Sequence, residues 1–320
     1  MKDSKYRGVV VPMITPVTEQ GAIDVTAVDK IIELFAEHNI HPLLMGTTGE
    51  GNSVSPGQGL LFVKIAVEAA RAAVSRMENP KERVASTSRR NVSAIIIYAG
   101  LSGCCVSEHI RTANEYHKLG ADVIVATLPG YYALTDEQMY NYYKTLADNI
   151  TAPLMLYNIK ATTHTSIPVE IIKRLSTHPN IVGLKDSERD LERMKECLAI
   201  SRNNSGFAYF CGWAAQSANS LLNGADGIVP STGNFVPDMF AELYNAAVSG
   251  DIQKANDLQE KTDKIARIYQ EGRTLGESLA ALKVMMGTKN LCQPYMLAPL
   301  TQVSVEEEKK ILNSTILASS

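Results

Sequence analysis

The stretch ADVIVATLPGYYALTDEQMYNYYKTLADNITAPLMLYNIK, residues 121–160, decides how this chain folds. It opens on an unbroken apolar run, ADVIVATLP (121–129), and closes on another, APLMLYNI (152–159). Both runs are continuous rather than alternating, the pattern of strands covered on both faces, as in a parallel sheet. Between them Thr135-Asp136-Glu137-Gln138 fits a capping box, in which the Thr and Gln side chains each satisfy an orphan backbone amide at a helix start. The unit is strand, helix, strand.

The same unit recurs in both directions. GVVVPMI (8–14), HPLLMG (41–46), SAIIIYAG (93–100), NIVGLKD (180–186), GFAYFCG (206–212) and GADGIVPS (224–231) bring the runs to eight. Ser55-Pro56-Gly57-Gln58 fits a second capping box, with proline at the opening helical position. VEIIKRL (169–175) and LERMKECL (191–198) place apolar residues three and four apart, as a helix face requires. Eight strand-helix units without a composition break predict an α/β fold, a (β/α)8 TIM barrel over residues 1–250. Beyond it the chain reads as helical without further strands, so residues 251–320 are expected to be C-terminal helices packed on the barrel. A doubly wound sheet is the alternative, but no GxGxxG follows the first strand. Residues 77–92, MENPKERVASTSRRNV, are expected to be a solvated surface insertion between the second helix and the third strand.

Composition narrows the function. The chain has 320 residues, 45% hydrophobic and 20% charged, with a net charge of −3, so no basic field favours nucleic acid or an anionic membrane. No apolar run is long enough to span a bilayer, and MKDSKYRG at the start lacks a signal-peptide core. The five cysteines are odd in number and show no CxxC spacing, which reads as reduced thiols in a cytoplasmic protein. The six histidines form no HExxH or HxH, so no metal is expected.

In such a barrel the chemistry gathers where the strands end. After the second run comes Gly46-Thr47-Thr48-Gly49-Glu50, whose glycines and hydroxyls could expose N–H groups as an anion nest, or could simply make a tight turn. After the fourth come Tyr131 and Tyr132, the fifth ends in Tyr157, and the sixth ends in Lys185. The seventh leads to Gly212 and Trp213, and the eighth to PSTGN (230–234). A tyrosine alone is more often a packing residue, and a strand-end lysine is more often in water. Their convergence on one rim suggests covalent catalysis: a desolvated amine attacks a ketone, loses water and leaves an imine that withdraws electrons. No histidine or carboxylate pair on the rim supports a hydrolase.

GTTGE (46–50), the tyrosine pair, the YN of the fifth run and GLKDS (183–187) together resemble the pyruvate-dependent class I aldolases, the family of N-acetylneuraminate lyase and dihydrodipicolinate synthase. The resemblance runs from about Gly8 to Met286. It implies that Lys185 is the Schiff-base lysine, with the covalent imine standing in place of any cofactor. Tyr157 would be the general acid/base, and Thr47 would bridge the tyrosines in a proton relay. Tyr131, or Tyr132 in its place, would reach into a neighbouring subunit, within a homotetramer built as a dimer of dimers. Thr48 and neighbouring backbone N–H groups would hold the substrate carboxylate, Gly46 would be among the substrate-binding residues, and the Val229 backbone would line the pyruvate pocket. From the residues alone, Trp213 is expected to leave an apolar wall at the aldehyde end.

The chain also departs from that family. Dihydrodipicolinate synthases usually read YNxPxRT after the fifth strand, whereas Thr162 stands here at the arginine position and Lys160 at the proline. Sialic acid lyases carry an acidic pair after the glycine-aromatic, whereas Ala214 and Ala215 follow Trp213. The expectation is therefore a carbon-carbon lyase that cleaves or forms a 2-oxo acid from pyruvate and an aldehyde, a 2-keto-3-deoxy sugar acid. The alternatives are N-acetylneuraminate lyase, dihydrodipicolinate synthase, a hydro-lyase of the same family, a phosphate-binding barrel and an inert metabolite-binding barrel.

Overall fold

The computed structural model describes residues 5–78 and 94–319, so the expected insertion at 77–92 lies almost wholly outside the described residues. Eight parallel strands close into a barrel in sequence order: β1 (Gly8–Pro12), β2 (His41–Leu44), β3 (Tyr98–Gly100), β4 (Val123–Thr127), β5 (Leu154–Asn158), β6 (Ile181–Asp186), β7 (Ala208–Cys211) and β8 (Gly227–Ile228), which pairs back on β1. Each strand falls within one of the eight apolar runs. β3 is only three residues long, shorter than its run suggests.

The strands are continuously apolar because the barrel has two cores. Side chains alternate along a strand. Val10, Leu43, Tyr98, Val125, Met155 and Phe210 point inward and fill the barrel, with Tyr98 and Phe210 edge-to-face at 6.3 Å between centroids. Val9, Val11, Leu44, Ile124, Leu156 and Leu184 belong to the outer core, packed under the helices.

That outer layer comprises α1 (Val25–Glu37), α2 (Pro56–Glu78), α3 (Val106–Leu119), α4 (Asp136–Asn149), the short α5 (Lys160–Thr163), α6 (Val169–Leu175), α7 (Leu191–Asn203), α8 (Ser217–Leu222) and α9 (Pro237–Ser249). The capping box at Thr135 is complete. The one at Ser55 is only half formed: Gln58 N lies 3.5 Å from Ser55 Oγ, but the Gln58 side chain accepts from Ile23 N instead. A tertiary partner has taken the group that the local motif would have used. The C-terminal extension is α10 (Ile252–Gln270), α11 (Leu275–Gly287) and α12 (Val305–Ser319). α11 is buried on every side from Ser278 to Met286, as a helix sandwiched between other elements must be. Among the described residues no helix is long and apolar enough to cross a membrane.

At the N-terminal end of β2, His41 is buried against Tyr98, and its Nδ1 accepts from Ile96 N at 3.2 Å. Burial lowers its pKa to about 4. Protonation would destroy the acceptor that Ile96 uses. The folded pKa lies below the unfolded one, so the stabilisation is present above about pH 6.5 and is lost as pH falls through about 4. Urea unfolding at pH 7 and pH 4.5 should show wild type losing roughly 2–3 kcal/mol more than His41→Gln over that interval. Equal losses in the two proteins would remove His41 as the cause.

Candidate active site

The register of the barrel brings the strand-end groups together. Tyr157 pairs with Lys185 across β5 and β6, and Lys185 pairs with Phe210 on β7. Both Tyr157 and Lys185 face the barrel interior, 5% and 3% exposed respectively. The Lys185 ammonium sits 3.7 Å from the centre of the Tyr157 ring. Such a contact is attractive, because the ring face carries negative charge density and both side chains are buried. The expectation that the lysine simply stands in water at a strand end is thereby excluded.

The phenol of Tyr157 meets the turn after β2. Thr47 Oγ1 lies 3.5 Å from Tyr157 Oη, at the long limit of a hydrogen bond. Burial alone would push the Tyr157 pKa up. The Lys185 charge and hydrogen bonds from Thr47, Lys185 and Ser187 outweigh it and hold the phenol below its ordinary value. A phenol held below its ordinary value in contact with a buried amine can exchange protons with it.

The outward-facing neighbours of this pair are polar, and they lock the two strand ends. Asn158 Nδ2 donates to Asp186 Oδ1 and to Glu188 Oε2, both at 2.9 Å, and Asn158 Oδ1 accepts from Ile167 N. Asp186 Oδ2 accepts from Arg193 Nε at 2.7 Å, and the other arm of Arg193 reaches Ile167 O at 2.8 Å. Burial would raise the Glu188 pKa, but bonds from Ser166 and Asn158 and the charges of Arg193 and Lys160 bring it below the usual carboxylate value. The sequence reading assigned no role to Asn158, Asp186, Glu188 or Arg193. The YN and KD pairs were a signal, since a polar residue beside each inward group at the end of an apolar strand needs its own partner.

The remaining rim residues divide. Thr47, Gly46, Thr127, Tyr157 and Thr162 line one small pocket, together with Asn52 and Ser102, two residues that sequence reasoning missed. Thr48 is buried in the turn. Val229 lies among the interior residues around Tyr157, and its N–H donates to Cys211 O at 2.8 Å. Gly212 is closely packed: a Cβ there would fall 2.2 Å from Ser187 Oγ and 3.0 Å from Asp186 O, so the Ser187 side chain would have to turn away. Trp213 is half-buried beyond it. Tyr131 and Tyr132 are 79% and 71% exposed, stacked edge-to-face at 4.9 Å. Within the described chain neither is hydrogen-bonded to Thr47 or Tyr157. Lys160 is exposed and ion-paired with Glu188 at 3.6 Å. A larger cleft of about 380 Å³ opens between α1, α11 and α12, remote from these groups. Among the described residues no cluster of His, Cys, Asp and Glu could hold a metal ion.

A closed βα barrel with a buried amine over a phenol at its strand ends defines a barrel enzyme whose working face is the C-terminal rim. Residues 5–318 match the dihydrodipicolinate synthetase family, and the chain belongs to it. It is 30% identical over 254 residues to 4-hydroxy-tetrahydrodipicolinate synthase of Laribacter hongkongensis, covering 79% of each chain. The dihydrodipicolinate synthase structure from Bacteroides thetaiotaomicron superposes with a TM-score of 0.87 at 25% identity, over 98% of this chain and 99% of that one. A chloride-inhibited dihydrodipicolinate synthase of Acinetobacter baumannii, solved with pyruvate, gives 0.82 at 25% identity over 98% and 99%. The protein is thus a carbon-carbon lyase of the pyruvate-dependent aldolase type.

Asp186 is 3% exposed and takes its countercharge from Arg193. Arg193→Met should lower the unfolding free energy by roughly 3–5 kcal/mol, because it strands a buried carboxylate. In a urea double-mutant cycle, adding Asp186→Leu should recover part of the loss. Purely additive effects would mean that the pair is not coupled.

Proposed function

We propose that the enzyme forms its covalent intermediate on Lys185 and cleaves a 2-keto-3-deoxy sugar acid to pyruvate and an aldehyde. The observation that carries this reading is the buried Lys185 ammonium 3.7 Å above the ring of a tyrosine whose pKa is held low. Tyr157 takes a proton from Lys185, and the free amine adds to the C2 ketone. Tyr157 returns that proton to the hydroxyl of the carbinolamine, so water leaves and the protonated imine remains beside the tyrosinate. Tyr157 then removes the C4 hydroxyl proton, the C3–C4 electron pair flows into the imine, and the aldehyde departs. Protonation of the resulting enamine at C3 and hydrolysis release pyruvate and restore the lysine.

In this scheme Thr47 passes protons to and from Tyr157, and Thr48 with the adjoining amides of the turn holds the substrate carboxylate. The Acinetobacter relative with bound pyruvate supports the common half of the substrate. The exposed Tyr131–Tyr132 pair supports a shared site, in which one of the two rings enters a neighbour's mouth within a homotetramer. For the aldehyde half, Thr162 lines the pocket. A threonine cannot make the bidentate contact that an arginine makes with a carboxylate, which disfavours a semialdehyde acid. Ala214 and Ala215 offer no side-chain acceptors to a long polyol tail. A short neutral sugar aldehyde suits both.

Pyruvate with borohydride should place one reduced adduct on Lys185, read by peptide mass mapping, and Lys185→Ala should abolish it. An adduct on a different lysine overturns the assignment. Tyr157→Phe, which keeps the ring under the ammonium, should slow turnover by roughly two to four powers of ten. In a panel of pyruvate-releasing substrates, 2-keto-3-deoxy sugar acids should exceed N-acetylneuraminate and the condensation with aspartate semialdehyde. The reverse order would refute the substrate reading.

A further inference from the structure

Lys283 is charged and fully buried, at 0% exposure in the middle of α11. An ammonium there must be neutralised or paired. Its partner is Glu50, the last residue of GTTGE: Nζ lies 2.5 Å from Glu50 Oε1, with both side chains fully buried. The approach is off the hydrogen-bonding direction, so the contact is a charge pair rather than an aligned bond. The ammonium spends an aligned donor on Tyr295 O at 2.7 Å, and Glu50 Oε2 accepts from Leu297 N at 2.9 Å. The C-terminal extension therefore grips the turn that carries Thr47 and Thr48, through α11 and the segment that follows it.

That turn needs a grip. Met45 and Glu50, which bracket it, both hold left-handed backbone angles, with φ of 56° and 53°. A non-glycine residue pays roughly 1–2 kcal/mol for that conformation, so the surroundings must impose it. The β1 side supplies one constraint. Thr15 Oγ1 donates to Gly49 O at 2.5 Å, and Gly49 packs so tightly that a Cβ would fall 2.8 Å from Met13 O. Glu50 supplies the other. Its carboxylate, at the end of the turn, is held from outside the barrel by the Lys283 charge and by Leu297 N.

We infer that Lys283 and Glu50 are positioning residues for the 2-oxo acid, a buried charge pair through which the C-terminal helices set the geometry of the carboxylate-holding turn. The inference rests on the aldolase reading for its kinetic readout, and on the ion pair alone for its structural one. A merely structural pair would stabilise the fold and leave affinity for pyruvate unchanged. A positioning pair controls how well the turn meets the carboxylate, and so changes half-saturation more than the maximal extent of reaction.

The experiment is borohydride trapping across a pyruvate titration in the full-length protein, comparing wild type, Glu50→Asp, Lys283→Met and the neutral pair Glu50→Gln/Lys283→Met. Glu50→Asp keeps the charge, withdraws it by one methylene and is the variant to use should Lys283→Met not fold. Half-saturation should rise about tenfold or more in each single variant, the scale of losing one aligned donor, with full labelling of Lys185 at high pyruvate. The neutral pair, which removes the stranded charge, should recover part of the loss. In parallel, amide hydrogen exchange over residues 46–50 should quicken in Glu50→Asp. Unchanged half-saturation and unchanged exchange in a folded Glu50→Asp would overturn the inference. Were wild type itself not labelled on Lys185, the aldolase reading would fall, and the exchange comparison would still decide the role of the pair.

Discussion

The structure depends on one contact, an ammonium held against the face of a phenol in the interior of a barrel. Burying Lys185 is unfavourable in isolation. Its position becomes tolerable because the β5–β6 register sets Tyr157 beside it, and the π face and phenol oxygen supply the negative density that water would have given. The same contact acts in the other direction on Tyr157. Burial would make that phenol a poorer acid, yet the neighbouring charge and hydroxyls more than reverse the effect. Neither group has its ordinary surroundings, and each compensates the other.

The rest of the molecule can be understood as the means of holding that contact. Parallel strands in sequence order put every strand end on one rim, and the alternation of side chains sends Tyr157 and Lys185 inward while Asn158 and Asp186 go outward. The outward pair ties the two strand ends to each other, to Arg193 on α7 and to Ile167. On the opposite wall, the turn after β2 is gripped from the β1 side by Thr15 and from the C-terminal extension by Lys283. The helical extension is therefore part of the site's support.

Much of this was legible in the sequence. All eight strands sit inside runs that periodicity alone marked out, because strands covered on both faces leave a continuous apolar signature. Lys185 and Tyr157 could be singled out because polar groups at the ends of such strands stand out, and the barrel register brings the two together. What sequence could not supply were contacts fixed by tertiary geometry. The Gln58 side chain satisfied a local helix-start motif on paper, but Ile23 N took it in the fold. Leu297 meets Glu50 across 247 residues, a separation at which no local pattern operates. Asn52 and Ser102 reach the pocket from loops whose course follows barrel closure, and each looks like an ordinary loop residue in the sequence.

The direct test of the central contact is the titration of Tyr157 itself, followed by the Cζ resonance in protein carrying ¹³C-labelled tyrosine. Burial pushes Tyr98, Tyr142, Tyr143 and Tyr209 upward, which separates them from a phenol that titrates low. One Cζ signal should titrate below the ordinary tyrosine value of about 10, vanish in Tyr157→Phe and move upward in Lys185→Met. A Tyr157 signal that titrates at the same pH with and without the Lys185 ammonium would contradict the account.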